Sequence, residues 1–175
     1  MFAQLDTKSV YSFMDSVVDL TTYIKRAKEL GYQALGLMDR DNLYAAYHFA
    51  QFASSKGLRP LIGMEANLFY EGRKIPFRLL AKNNQGYKNL MKLATELSSG
   101  QREFTAFSDY LNAIALILPS EDWEPGMTLG SEVFIGIRPE DAGKEFDYPV
   151  IPLHTVRYFE NADRSTIQML HAISQ

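Results

Sequence analysis

The sequence predicts an α/β fold, because segments with the pattern of buried strands alternate with segments of helical spacing. A helix over 20–30 would place Tyr23, Ile24 and Ala27 on one face, and Gly31 follows it as a C-terminal cap. The next segment, 32–39, is apolar on both faces near its middle, as in a strand covered on both sides. Strand, helix and strand in succession favour parallel pairing with right-handed crossovers.

The remaining elements are predicted from the same two patterns. The stretch 2–10 is a strand that leads into a polar loop, a second helix covers 43–57, and a third strand covers 58–70. Glu71 and Gly72 predict a hairpin turn, so the stretch up to 82 returns beside that strand. A third helix is expected over 85–99, later strands over 113–119, 131–137 and 149–159, and a closing helix from residue 160 with Asn161 or Asp163 as its cap.

The composition limits the classes of protein to which the chain can belong. The chain has 175 residues, 46% hydrophobic and 22% charged, which is typical of one folded domain. Its net charge of −3 gives it no overall electrostatic attraction for nucleic acid. The absence of cysteine excludes disulfides and zinc sites built on thiolates, and no apolar run is long enough to cross a bilayer. Helical spacing continues to the last residues, which predicts that the chain is a piece of a longer protein.

Charged side chains gather where the predicted strands end. Asp6 and Lys8 are assigned to the carboxyl end of the first strand, Asp39 and Arg40 to that of the second, and Glu65 and the segment 154–157 to those of later strands. Because parallel strands present their carboxyl ends at one rim, we expect these side chains to meet there. For each residue taken alone, the alternative is an ordinary solvated loop position.

Four motifs occur in order along the chain. They are FAQLDTKS at 2–9, AKELG with ALGLMDRDNL between 27 and 43, LRPLIGME at 58–65, and LLAKNNQGYKNLMKL at 79–93. In this order and spacing they resemble the polymerase and histidinol phosphatase (PHP) domain at the N-terminus of bacterial DNA polymerase III alpha subunits. The resemblance covers essentially the whole chain, with no exonuclease-like insertion between the motifs. It implies a PHP-type distorted (βα)7 barrel, incomplete in this chain, with residues 1–175 as one PHP domain.

The resemblance also implies a place for metal ions, and the sequence departs from the family there. Family members bind divalent metals at the barrel mouth through histidines and carboxylates and hydrolyse phosphoesters. The ligand histidines are replaced by Asp6 and Lys8 in the first motif and by Arg40 in the second. A further ligand histidine of the family aligns near Pro76 of this chain. The family's late Asp-x-His pair aligns with Thr155 and Arg157.

Only Asp15 and Glu65 keep the family's ligand types. We therefore expect no catalytic, cofactor-binding or metal-binding residue, and predict instead that fixed cations replace the metals. The predicted salt-bridge network comprises Asp6, Lys8, Asp15, Arg40, Glu65 and Arg157.

The function implied by the resemblance is a catalytically degenerate structural and docking domain of a replicative polymerase in the cytoplasm. The parent protein would use primed DNA, dNTPs and two Mg²⁺ ions in its palm domain, with no cofactor in this chain and no membrane partner. Its partners would be the other domains of the subunit, a proofreading exonuclease and other replisome proteins. The alternative is a residual metal-dependent phosphoesterase, a proofreading exonuclease or pyrophosphatase, that uses Asp6, Asp15 and Glu65. A stand-alone phosphatase of the histidinol phosphatase kind is a third and weaker hypothesis.

Three smaller questions stay open in the sequence. Asp39 could serve an Asx turn or cap the second helix. Of the three histidines, His48 and His171 suit surface or interface positions, and only His154 lies near the rim. The lysines around Tyr87 could track a nucleic-acid backbone or form an ordinary solvated helix face.

Overall fold

The computed structural model describes residues 3–130 and 132–173 and has an α/β architecture. Every strand in the described residues belongs to either a seven-stranded sheet or a two-stranded sheet. The strands are β1 (Ala3–Gln4), β2 (Asp6–Thr7), β3 (Ala34–Arg40), β4 (Arg59–Tyr70), β5 (Arg73–Ala81), β6 (Ile114–Pro119), β7 (Val133–Ile137), β8 (Val150–Pro152) and β9 (Thr155–Val156). The helices are α1 (Leu20–Glu29), α2 (Ala46–Ser55), α3 (Asn84–Ser98) and α4 (Asn161–Ile173), with short 3-10 turns between β5 and β8.

The large sheet is mixed. Its order is β1-β3-β4-β5-β6-β7-β8, parallel everywhere except where β5 runs antiparallel to both β4 and β6. The predicted hairpin is confirmed: Tyr70 pairs with Arg73 across Glu71 and Gly72, which have φ values of 51° and 79°. Two positive φ values in a two-residue loop match the right-handed twist of the strands on either side. The α/β class predicted from the sequence is correct.

The N-terminal stretch differs from the single strand that was expected. It divides between β1, which pairs with β3, and β2, which pairs with β9 in the small sheet. The chain crosses β3 at Gly36, where a Cβ atom would lie only 1.9 Å from the Leu5 carbonyl oxygen. Glycine is therefore required at 36, because any side chain there would push the N-terminal segment away. The expected strand over 149–159 is likewise split, into β8 and β9.

The helices follow the predicted pattern with shifted ends. The Asp19 carboxylate caps α1 by accepting from Thr22 N, and the Asn83 side chain caps α3 by accepting from Gln85 N and Gly86 N. Helix α2 begins three residues later than expected, after Ala45. At the start of α4 the Asp163 carboxylate accepts from Glu160 N, while the side chain of Asn161, the other predicted cap, lies outside the described residues.

Two apolar clusters hold the layers together. One joins β4–β7 to α3 around Phe77, Leu79 and Leu90. The other joins α1 and α2 to β3 around Ile24 and Phe49. Among the described residues no helix combines the length and apolarity that a membrane span requires. The charged pocket described next lies where β2, β3, β4 and β5 meet.

Candidate functional site

Lys8 lies at the centre of a buried charged pocket. Its side chain has no exposed area, and its Nζ atom donates to Asp6 Oδ1 at 2.8 Å and to the Met38 carbonyl oxygen at 2.7 Å. The same atom lies 3.0 Å from Glu65 Oε2. An ammonium group has three donors, so these three acceptors satisfy it completely. The two carboxylates thus neutralise the charge of Lys8, and its three hydrogen-bond donors are satisfied without water.

Asp6 is held by three donors, one from the loop after β2, one from β5 and one from β9. Besides Lys8, Arg78 Nε donates to Asp6 Oδ2 at 3.1 Å and Thr155 Oγ1 donates to the same oxygen at 2.6 Å. Burial alone would raise the pKa of Asp6, but the charges of Lys8 and Arg78 outweigh burial and lower the pKa to about 2. Asp6 is therefore a permanent anion at neutral pH.

Glu65 contacts three cations from three segments. Its Oε2 atom lies 3.0 Å from Lys8 Nζ and 3.3 Å from Arg78 Nη2, and its Oε1 atom accepts from Arg40 Nε at 3.1 Å. Burial would raise the pKa of Glu65, but Lys8 and Arg78 exceed that effect and the pKa is lowered. The sequence interpretation that Glu65 ends a strand is wrong: β4 continues to Tyr70, and Glu65 lies midway along it.

Asp15 closes the outer side of the pocket. Its Oδ2 atom accepts from Arg40 Nη2 at 2.8 Å, and its Oδ1 atom accepts from Arg157 Nε at 2.9 Å. His171 Nε2 on α4 lies 3.1 Å from the same Oδ1 atom. Arg40 thus bridges Glu65 and Asp15, as its planar guanidinium allows. Burial would lower the pKa of Arg40, but these two carboxylates prevail and raise it.

Comparison with known families identifies the fold. Residues 4–125 match the PHP domain. The chain belongs to the PHP domain family. This PHP domain is 45% identical over 175 residues to DNA polymerase III subunit alpha of Streptococcus pyogenes serotype M1, covering 99% of this chain and 17% of that protein. It is 32% identical over 126 residues to the subunit of the same name in Bacillus subtilis strain 168, covering 69% of this chain and 11% of that protein.

The chain therefore spans about a sixth of the length of the first of these polymerase subunits. Among solved structures, it is similar to an amidohydrolase from Chromobacterium violaceum with bound sulfate and no metal. The TM-score is 0.47 with 20% sequence identity, over 56% of this chain and 34% of that one.

The structure brings all six residues of the predicted network into one connected set of ion pairs. It also adds Arg78, which is absent from the predicted network and lies two residues after Pro76, where the resemblance places a family histidine. Arg78 is the direct cross-strand partner of Glu65 in the hairpin register, and its third donor, Nη1, contacts the Pro76 carbonyl oxygen at 2.6 Å. The PHP domain pocket therefore contains three carboxylates and four cations in direct contact.

The three histidines lie where the sequence predicts them. His171 is 47% exposed on α4, at the surface, and from there its Nε2 atom contacts Asp15 at the outer edge of the pocket. His154, the one placed near the rim, lines a neighbouring cavity of about 340 Å³ with Arg78 and Arg157. Its carbonyl oxygen accepts from Gln4 Nε2 at 2.7 Å. His48 lies exposed on α2 against Tyr47.

Asp39 has a role that neither open alternative described. It does not cap α2, whose N-terminal cap is Ala45. Its carboxylate accepts at 2.7 Å from Ser9 N, from Ser9 Oγ and from Ser12 Oγ. Asp39 therefore fixes the loop that follows β2 and so positions Lys8, the residue before Ser9.

The side chains of this pocket do not fit the divalent-metal cluster of the family. Within residues 3–130 and 132–173, no group of three or more His, Cys, Asp or Glu side chains is placed to hold a metal ion. The donor set explains why: the Lys8 ammonium stands between Asp6 and Glu65, and the Arg40 guanidinium stands between Glu65 and Asp15. A divalent ion in either place would meet a fixed positive charge.

Proposed function

We propose that residues 1–175 form the PHP domain of a DNA polymerase III alpha subunit and serve there as a structural and docking domain without phosphoesterase activity. The observation that carries this proposal is the position of Lys8 Nζ, within 3.0 Å of both Asp6 and Glu65 and fully buried. A buried network of this kind fixes geometry more than it adds net stability.

The parent protein would extend primed DNA with dNTPs, using Mg²⁺ bound by carboxylates of its palm domain. The 45% identity to a streptococcal polymerase subunit over the whole chain supports this assignment. Its setting would be the cytoplasmic replisome, where a proofreading exonuclease and other replication proteins are candidate partners. The coding sequence tests the assignment: it should continue into a polymerase palm.

The rival hypothesis is a residual phosphoesterase that uses Asp6, Asp15 and Glu65. Its three carboxylates are each already paired with two or more cationic side chains, which favours the inactive domain. To decide, the full-length protein and a known metal-dependent phosphoesterase are incubated with Mn²⁺ and a generic phosphoester. The same samples are assayed for bound metal after purification. The docking proposal expects no turnover, and no bound metal beyond the Mg²⁺ of the palm domain, even where the positive control gives both.

A matched pair of variants separates the two hypotheses further. Asp15→Asn removes a carboxylate that the rival requires, whereas Asp147→Asn changes an exposed carboxylate elsewhere. If the full-length protein hydrolyses the phosphoester in a Mn²⁺-dependent manner and only Asp15→Asn abolishes this activity, the docking proposal is wrong.

A further inference from the structure

Exposed aromatic side chains are concentrated in and directly after the loops that follow β2 and β3, and hydrogen bonds join these two loops beside the pocket. Eleven large hydrophobic side chains are exposed in the described residues, and five of these are aromatic. Four of the five aromatic ones come from the loops after β2 and β3 and the start of α2. We define the aromatic patch as Val10, Tyr11, Phe13, Tyr44 and Tyr47. Phe13 is 84% exposed and Tyr44 is 76% exposed, so neither ring belongs to the core of this domain.

The loops that carry this patch are held rigidly. Asn42 Nδ2 donates to the Tyr11 carbonyl oxygen at 3.1 Å, and Arg40 N donates to Ser12 Oγ at 3.1 Å. Met14, directly after Phe13, has a φ of 61°, a conformation that side chains other than glycine rarely adopt. Such backbone strain persists only where surrounding contacts fix it, and it concentrates at functional positions. The aromatic patch is therefore presented in a fixed arrangement.

The chemistry of the surface indicates a protein partner. An open groove of about 600 Å³ adjoins the patch and is lined by Val10, Tyr11, Leu20 and Phe52, with Asp19 as its one carboxylate. Nucleic acid binding would require clustered lysine or arginine beside the aromatic rings. Here the groove lining contains neither, and a lysine lies beside it, Lys56, with Nζ 5.4 Å from the centre of the Phe52 ring. Aromatic enrichment with few charges is typical of the centre of a protein interface.

The amount of polypeptide beyond this chain points to the occupant. This chain covers only 17% of the streptococcal polymerase subunit, so most of the polypeptide of such a protein lies outside the PHP domain. We propose, on the basis of the function proposed above, that the aromatic patch is the contact by which this PHP domain packs against an apolar surface on another domain of the same polymerase polypeptide. The contact is intramolecular and independent of the ion pairs in the pocket.

Hydroxyl-radical footprinting of the full-length subunit tests this contact. Phe69 serves as the internal reference, because it is the exposed aromatic side chain of the described residues that lies outside the patch. After correction for intrinsic reactivity, Phe13 and Tyr44 should be modified about five-fold or more slowly than their exposure here predicts, since an interface core excludes water. Phe69 should react at the rate expected for its 37% exposure.

Variants make the result specific. Phe13→Ser in the full-length subunit should restore fast modification of Tyr44, whereas Leu30→Ser, at a 68% exposed apolar residue on the C-terminal side of α1, should not. Full reactivity of Phe13 and Tyr44 in the unmodified subunit would overturn the inference. So would protection that appears only on raising the protein concentration, which indicates a second copy, or only on adding single-stranded DNA. Since the metal and phosphoester assays are separate from footprinting, a failure of this contact can be distinguished from a failure of the proposed function.

Discussion

Glu65 and Arg78 face each other across the β4–β5 hairpin and also share a salt bridge, with Arg78 Nη2 3.3 Å from Glu65 Oε2. Two interactions therefore hold Glu65 and Arg78 together: the pairing of their main chains and the attraction of their side-chain charges. The hairpin register thus delivers a guanidinium to two buried carboxylates, Asp6 and Glu65. The buried carboxylates of the PHP domain are thus neutralised by lysine and arginine side chains. The effect of removing these side chains can be measured.

Removal of the central lysine should be costly. Lys8→Met keeps the apolar length of the side chain but leaves Asp6 and Glu65 without the ammonium between them. We expect a loss of about 3–5 kcal/mol in the free energy of unfolding, the usual cost of breaking a buried ion pair. Urea denaturation measures it. Lys25→Met, at an exposed position of α1, is the control and should stay within about 0.5 kcal/mol of the unmodified protein. Equal effects of the two substitutions would contradict the central role of Lys8.

Arg40 should contribute less than Lys8. Its side chain is 41% exposed, so solvent screens its contacts with Asp15 and Glu65. Arg40→Ala is expected to cost about 1–2 kcal/mol, because partly buried charged hydrogen bonds are lost. The control is Arg26→Ala, whose partner Glu160 lies 3.8 Å away at the surface and which should cost below about 1 kcal/mol. A larger loss for Arg26→Ala than for Arg40→Ala would refute this ranking.

Acid should weaken the fold through the pocket carboxylates. Asp6 has a pKa lowered from 3.8 to about 2, and the pKa of Glu65 is lowered as well. A group whose pKa is depressed on folding stabilises the protein above its unfolded value, and this contribution is lost as pH falls through the folded value. The contribution of Asp6 is about 2.5 kcal/mol at neutral pH and should disappear between about pH 4 and pH 2.

The measurement is the free energy of unfolding by urea at a series of pH values. Asp6→Asn should reduce the slope between about pH 4 and pH 2, because the titrating group is gone. Asp147→Asn, at an exposed residue, should leave the slope as it is. An unchanged slope in Asp6→Asn would show that this carboxylate is not the titrating group.

Asp39 should be needed for its two acceptor oxygens. Its two oxygens receive three donors from Ser9 and Ser12, and Asp39→Asn would replace one oxygen by an NH₂ group that faces donors. We expect a loss of about 1–3 kcal/mol, the cost of leaving buried donors unsatisfied. Faster exchange of the Ser9 amide hydrogen should accompany it. Ser12→Ala removes one of the three donors and should have the smaller effect. An Asp39→Asn variant with wild-type exchange at Ser9 would exclude this role for Asp39.

Sequence reasoning recovered the α/β architecture because hydrophobic period and glycine positions mark its elements locally. It could also have found Arg78. A turn at 71–72 pairs Tyr70 with Arg73, and counting outward along both strands pairs Glu65 with Arg78. The contact between His171 and Asp15 had no such signal, since 156 residues separate them and helical spacing does not specify what an exposed side chain meets. Thr155 reaches Asp6 through paired strands of only two residues, too short to leave a pattern in the sequence.

The crossing of the first residues over Gly36 has a consequence for biosynthesis. Asp6 and Asp15 leave the ribosome early, but Thr155 and Arg157, which bind them, follow 149 and 142 residues later. Contacts this distant along a chain form late, since they wait for the intervening polypeptide and its loop closure. Strand β3, Arg40 and Arg78 can bind this segment earlier, but Asp6 and Asp15 gain their full set of partners only after translation has passed residue 157.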